Sequence, residues 1–288
     1  MGRSFIHLFL MSFLILALYL FGKTKQYFLI YFPHNIEAKQ ITAISGDSII
    51  AQNDSIVVPV IYEGSVDFRA MDPEVRKRKF IEYLLPAVVI TRERLLDDLH
   101  HVEFIEYKFK NNKLIYHNDS IFLASMMEKY RTDSISELKK RIFPHPVSLA
   151  LTQAVLESGW GTSSICRKGH NLFGILSFSS EESRLKMRLT DSEEDIYLRT
   201  YEDVIQSVEH YFLLISRVSS YKKFRQKRWE GATSLQLVTL LDSYHEAEEY
   251  EDLAKSIIQE NKLTRYDIAS IDPAYRKFSS LYSFLTQQ

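Results

Sequence analysis

The stretch "ALTQAVLESGWG", residues 150–161, constrains the fold more than any other part of the 288-residue chain. With Val147 and Leu149 just before it, Ala150, Leu151, Ala154, Val155 and Leu156 spread apolar surface around most of a helix. Such a helix must be central, wrapped by other elements. It starts after "FPHP", with Pro146 tolerated in its first turn, and Gly159 is placed as its C-terminal stop. Gln153 and Glu157 are four residues apart and share a face. Glu157 therefore falls in the last turn, where unpaired carbonyls create a negative potential. Desolvation and that potential both oppose its ionisation. A carboxyl group still protonated near neutral pH can hand a proton to a glycosidic oxygen. A Glu paired with Arg or Lys for structure fits the same residues.

A helix that is apolar all round needs amphipathic neighbours, and the rest of the chain supplies them. In "MDPEVRKRKFIEYLLPAVV", Asp72 suits an N-cap, Pro73 the first helical position and Glu74 the positive end of the dipole. A helix is predicted from there to about Leu99, with Pro86 the place for a bend. "SIFLASMMEKY" and "SISELKKRIF" read as helices opened by Ser120 and Ser134. "YEDVIQSVEHYFLLI", "SLQLVTLLDSY" and "YEDLAKSIIQEN" repeat apolar residues at i, i+3 and i+4. Between Leu172 and Thr200, "LKMRL" and "DIYLR" alternate around the polar "TDSEE", which predicts a β-hairpin. The class is mainly α with one small β excursion.

Apolar residues make up 45% of the chain, enough for a real core, and a formal net charge of −1 gives no sign of a nucleic-acid partner. Seventeen Tyr, eighteen Phe and two Trp serve the core and also suit stacking on sugar rings. The single cysteine, Cys166, excludes an internal disulfide and gives no zinc pattern; it reads as a small buried hydrophobe. No metal or cofactor is implied. At the N-terminus, "SFIHLFLMSFLILALYLFG" approaches the roughly 20 residues needed to cross a bilayer. It lacks a small-x-small cleavage site, and no Cys follows for lipid attachment. An uncleaved signal anchor and a cleaved signal peptide both fit residues 1–22. Arg3 with the amino terminus balances Lys23 and Lys25, so flanking charge leaves the orientation open. Beyond it, "QYFLIYF" and "SIIAQNDSIVVPVIY" are β-prone, and Pro33, Pro59 and Gly64 break any helix. Residues 23–70 read as a tether.

"SLALTQAVLESGWGTSSICRKGHNLFGI" resembles the core of the glycoside hydrolase family 73 glucosaminidases, especially their Bax-type branch. The matching positions are Ala150, Gln153, Ala154, Leu156, Glu157, Ser158, Gly159, Trp160, Gly161, Asn171, Leu172, Phe173 and Gly174. "RKFIEYLLPAVVITRERLL" upstream and "YKKFR" and "YEDLAKSIIQENKLTRYD" downstream are also similar to that family, so the likeness spans roughly residues 74 to 267. The resemblance implies a lysozyme-like α-helical domain with a groove for peptidoglycan. It implies an endo-β-N-acetylglucosaminidase that hydrolyses the β-1,4 bond on the reducing side of N-acetylglucosamine, with Glu157 as general acid. Tyr244 falls where the family places a tyrosine that assists at the reacting centre. Gln153, Trp160, Asn171 and Phe173 become candidates for binding the glycan. Packing at the groove wall also fits Trp160, turn organisation fits Asn171, and a core role fits Tyr244. The implied division is a front segment at 71–135, a catalytic domain at 136–270 and a C-terminal helix at 271–288. The implied location is the cell envelope, with the catalytic domain outside the cytoplasmic membrane, anchored to it by the N-terminal helix or secreted to the periplasm.

The second carboxylate is the point of departure from the family. An external base stands about 6.5–9.5 Å from the acid, a protein nucleophile about 5–5.5 Å. Many members carry a Glu on the hairpin, whereas "RLKMRL" contains no acid. Glu181 and Glu182 precede it, and Asp191, Glu193, Glu194 and Asp195 crowd the turn. Assistance by the substrate's own acetamido group becomes the alternative. Two other functions remain open: a lytic transglycosylase, which also carries a helix-ending Glu-Ser, and a glycan-binding scaffold without catalysis.

Overall fold

A long helix, α1 (Pro73–Lys110), forms the spine of the fold. The computed structural model describes residues 34–188, 195–241 and 248–278. Along α1, Phe80, Leu84, Val88, Leu95, Leu99, Val102 and Ile105 are buried at helical spacing. The expected end near Leu99 is too early, because Val102, Ile105 and Lys108 continue the same buried face. Lys108 is held there by Asp119 at 2.6 Å. The helix runs unbroken through Pro86, and Asp72 occupies the N-cap without a side-chain capping bond.

Around this spine lie α2 (His117–Tyr130), α3 (Ile135–Ile142), α4 (Val147–Ser158), α5 (Ser164–Gly169), α6 (Val204–Arg217), α7 (Lys222–Trp229), α8 (Ser234–Leu237) and α9 (Glu248–Glu260). The α2 start is Tyr116 rather than Ser120, because the Asp119 carboxylate turns back to accept from the Tyr116 amide. Ser134 caps α3 as expected, its hydroxyl accepting from the Glu137 amide at 3.4 Å. "SLQLVTLLDSY" makes only the short α8 and a 3-10 turn over Val238–Leu240. The β-branched Val238 and Thr239 lower helix propensity at that point. α4 is the central helix, packed against α1, α8, α9 and the 3-10 turn Leu263–Ile268.

Residues 34–70 are not a tether. β1 (His34–Ile36) pairs antiparallel with β8 (Arg276–Phe278). β2 (Lys39–Thr42) runs parallel to β4 (Val60–Glu63), and β3 (Ile56–Val57) parallel to β7 (Ser270–Ile271). Ala43, Val57, Val60, Tyr62, Val66 and Phe68 join the main core. The β-prone runs find edges at the far end of the chain, which local pattern does not reveal. For the same reason residues 271–278 are strand and 3-10 turn instead of helix, with Asp272 capping the turn and Pro273 opening it. The expected hairpin is present as β5 (Arg184–Arg188) and β6 (Asp195–Arg199).

Among the described residues, no helix is long and apolar enough to cross a membrane. The N-terminal segment 1–22, the C-terminal stretch 279–288 and Tyr244 lie outside the described residues.

Candidate active site

The two ends of α4 are built differently. At its N-terminus, Asp267 receives the Ser148 amide at 2.8 Å and the Ser148 hydroxyl at 2.9 Å. That carboxylate satisfies one of the helix's open amides from another element. Burial nevertheless pushes the Asp267 carboxyl up, while the Ser148 bonds pull it down.

At the C-terminus the chain turns back sharply. Gly159, Trp160 and Gly161 all have left-handed φ, of 57°, 58° and 78°. Gly161 has no room for a side chain: a Cβ there would lie 2.6 Å from Phe68 and 2.8 Å from Phe80. Trp160 holds its unfavourable conformation with its ring set edge-on to Phe80, centroids 6.1 Å apart. It also borders a cavity of about 470 Å³ with Ile81, Leu85 and Tyr266. Ser158 is fully buried; its hydroxyl donates to the Ala154 carbonyl at 2.5 Å and accepts from the Gly161 amide at 3.0 Å. The Glu-Ser-Gly-Trp-Gly sequence is thus a rigid corner with Glu157 in the last turn before it.

Glu157 is half-buried and faces the Asn-Leu-Phe-Gly loop. A Cβ on Gly174 would stand 3.1 Å from Glu157 Oε2, and Gly174 has φ +63°. Only glycine combines that backbone with so close a carboxylate. Asn171 shapes the loop: its Nδ2 donates to the carbonyls of Ile175 and Arg199, both at 2.9 Å. Its Oδ1 accepts from the amides of Phe173 and Ile175 at 3.3 and 3.0 Å. One buried amide therefore joins the loop to β6. Phe173 points inward and stacks on Tyr211 at 4.1 Å. Residues 175–177 continue along β6, with Ser177 donating to the Tyr197 carbonyl at 2.8 Å and Arg199 to that of Ile175 at 3.0 Å.

One turn before Glu157, the fully buried Gln153 accepts a hydrogen bond from the Tyr250 hydroxyl at 2.7 Å. Burial raises the pKa of that hydroxyl, and the charge on Glu157 raises it further against the opposing Gln153 bond. Tyr250 is the residue that sequence pattern misses. It shares an i, i+4, i+8 stripe with Ala254 and Ile258, both buried, and so reads as plain core. The structure thus brings Gln153, Glu157, Gly174 and Tyr250 together. Asn171 and Phe173 shape and anchor the loop from behind, and Trp160 packs on α1.

Cys166 is buried, which pushes its thiol up to about 12, and no thiolate forms there. His170 instead bridges two carbonyls, those of Tyr201 at 3.0 Å and Gly64 at 2.5 Å.

Residues 133–263 match the family model described as mannosyl-glycoprotein endo-beta-N-acetylglucosaminidase. That segment belongs to the glucosaminidase family. The match agrees with the family that the sequence resembles, and the corner, the loop and the start of α9 all lie inside the matched residues. Protein bax of Escherichia coli K12 is 30% identical over 120 residues, 41% of either chain. The exo-glucosaminidase LytG of Bacillus subtilis 168 is 27% identical over 135 residues, 42% of this chain and 45% of LytG. The matches cover less than half the length of these relatives. Among solved structures, the catalytic domain of the autolysin Auto from Listeria monocytogenes is 22% identical, covering 54% of this chain and 90% of that one, with a TM-score of 0.38. The glycoside hydrolase domain of Salmonella typhimurium FlgJ is 25% identical, covering 50% and 87%, with a TM-score of 0.35.

Proposed function

We propose that the chain is a peptidoglycan hydrolase, a β-N-acetylglucosaminidase that cuts the β-1,4 bond on the reducing side of N-acetylglucosamine with Glu157 as general acid. The observation that carries this reading is the seat of Glu157, in the last turn of a buried helix and pressed against the Gly174 backbone of the same family domain. A carboxyl group at the negative end of a helix and partly removed from water favours the protonated form that a departing glycosidic oxygen needs.

The hairpin acids within the described residues are otherwise engaged or exposed. Glu182 accepts the Ser177 hydroxyl at 2.8 Å and pairs with Arg199, which in that order of weight hold its carboxyl below the usual range. Asp195 pairs with Lys186 at 2.6 Å, and Glu181 is exposed. Asp191, Glu193 and Glu194 lie outside the described residues. This supports substrate assistance. As Glu157 gives its proton to the leaving oxygen, the acetamido oxygen bonds to C1 and the C1–O glycosidic bond breaks. Water then opens the cyclic oxazolinium ion, the Glu157 carboxylate takes the water's proton, and the β configuration is retained. Tyr250 stays a neutral hydroxyl through these steps and fixes Gln153 beside the acid.

The substrate puts the domain outside the cytoplasmic membrane, with residues 1–22 as anchor or cleaved signal. Mass spectrometry of peptidoglycan digested by the purified protein tests the function. New reducing N-acetylglucosamine ends, lost with Glu157→Gln, are expected. Fragments of mixed length indicate internal cutting, and single sugars released from chain ends indicate exo-cleavage. Ends in 1,6-anhydromuramic acid, or glycan binding with no product, would contradict hydrolysis.

A further inference from the structure

A second cavity, of about 570 Å³, lies between α1 and α6 and is closed by the end of α2 and the base of the hairpin. None of Gln153, Glu157, Gly174 or Tyr250 lines it. Its apolar wall is Leu95, Phe212 and Leu213. A volume of this size suits a small organic ligand.

Most of its charged groups are already paired. Arg94 meets Glu209 at 2.6 Å, and Arg199 pairs with Glu182. His210 shares a 2.7 Å hydrogen bond with the Tyr201 hydroxyl, and burial lowers its pKa, so the ring is neutral near pH 7. Four polar groups remain, one of them the Tyr130 hydroxyl. The Thr91 hydroxyl is buried and has no hydrogen-bond partner. Among the described residues, neither the Asp98 carboxylate nor the Lys129 ammonium has an ion-pair or hydrogen-bond partner for its side chain. Burial pushes the Asp98 carboxyl up to about 6; the Lys129 charge only partly offsets this, and Asp97 and Glu209 add to the rise. A partly buried carboxylate without a partner costs folding free energy, and an unpartnered Thr hydroxyl beside it adds to that cost. Packing alone gives no reason to retain both in one cavity.

The open charges are opposite in sign and sit on different walls, Asp98 on α1 and Lys129 on α2. We infer that this cavity binds a small zwitterion, a free α-amino acid or short linear peptide, with its ammonium on Asp98, its carboxylate toward Lys129 and an aliphatic side chain on Leu95, Phe212 and Leu213. The Thr91 hydroxyl supplies a further hydrogen bond to the ammonium or the carboxylate. The inference is independent of the proposed hydrolysis, because the cavity shares no residue with the Glu157 site.

Calorimetric titration of the full chain with glycine, L-alanine and L-alanyl-L-alanine tests it, with ethylamine and propionate as single-charge controls. At least one zwitterion is expected to bind with a Kd below about 10 mM, at least about tenfold tighter than either control. Asp98→Asn and Lys129→Met are each expected to weaken that binding by about tenfold or more. Lys129 is exposed, so its variant keeps the fold even if the Asp98 variant does not. Thermal melting of both variants verifies folding. No saturable binding by any zwitterion, equal binding of a control, or unchanged affinity in a folded Lys129→Met protein would each overturn the inference.

Discussion

α4 carries a carboxylate at each end, and the two do opposite things. Asp267 comes from another element to the positive end, where it receives two hydrogen bonds from Ser148. Glu157 belongs to the helix itself and lies at the negative end, against a glycine backbone. The first placement gives one open amide an acceptor and so serves the fold. The second opposes the dipole of its own helix. An acid set against the local potential, in a corner this tightly built, supports the proposed chemical role of Glu157. The contrast predicts that the two can be separated, one affecting turnover and the other stability.

The largest expected effect is that of Glu157→Gln, which should lower turnover of peptidoglycan by about 10²–10⁴-fold while leaving the melting temperature nearly unchanged. Next comes Gly174→Ala. Its Cβ would press on Glu157 at 3.1 Å from a left-handed backbone, so turnover should fall about tenfold or more and stability by about 1–2 kcal/mol. Rates per folded molecule, set beside urea melts, measure both. Asp267→Ala strips Ser148 of its acceptor and should cost about 1–2 kcal/mol in urea unfolding, with turnover per folded molecule unchanged. A loss of turnover beyond its loss of folded protein would erase the distinction between the two ends. The smallest effect belongs to Tyr250→Phe, which leaves Gln153 Oε1 without its donor. About 1 kcal/mol of stability and less than about tenfold in kcat are expected. A loss as deep as that of Glu157→Gln would make Tyr250 a participant in the chemistry.

The chain shows its local devices more openly than its long-range ones. The all-round apolar run with Gly159 after it marks α4 and its stop. Strict alternation marks the hairpin, and Ser134 marks the start of α3. Each is settled within a few residues, by period or capping chemistry. The pairing of β1 with β8 and of β3 with β7 depends on edges more than two hundred residues away, so residues 34–70 read as a tether. At the site, Glu157 and Gln153 were visible because both sit on one helix face. Tyr250 was not, because its spacing matches a core stripe and its polar partner comes from α4. The tightness of Gly174 against Glu157 is likewise a contact between elements, invisible in either segment alone.

The central claim is that Glu157 protonates the leaving oxygen, and the dependence of its loss on leaving group tests that most directly. From a nitrophenyl glycoside of N-acetylglucosamine oligomers the aglycone leaves as a weakly basic nitrophenolate that needs little help from an acid. If Glu157 is the general acid, Glu157→Gln should lose about 10²–10⁴-fold on the natural glycan and far less on the nitrophenyl substrate. Equal losses on both substrates, or more than about a tenth of native activity retained on the glycan, would contradict it.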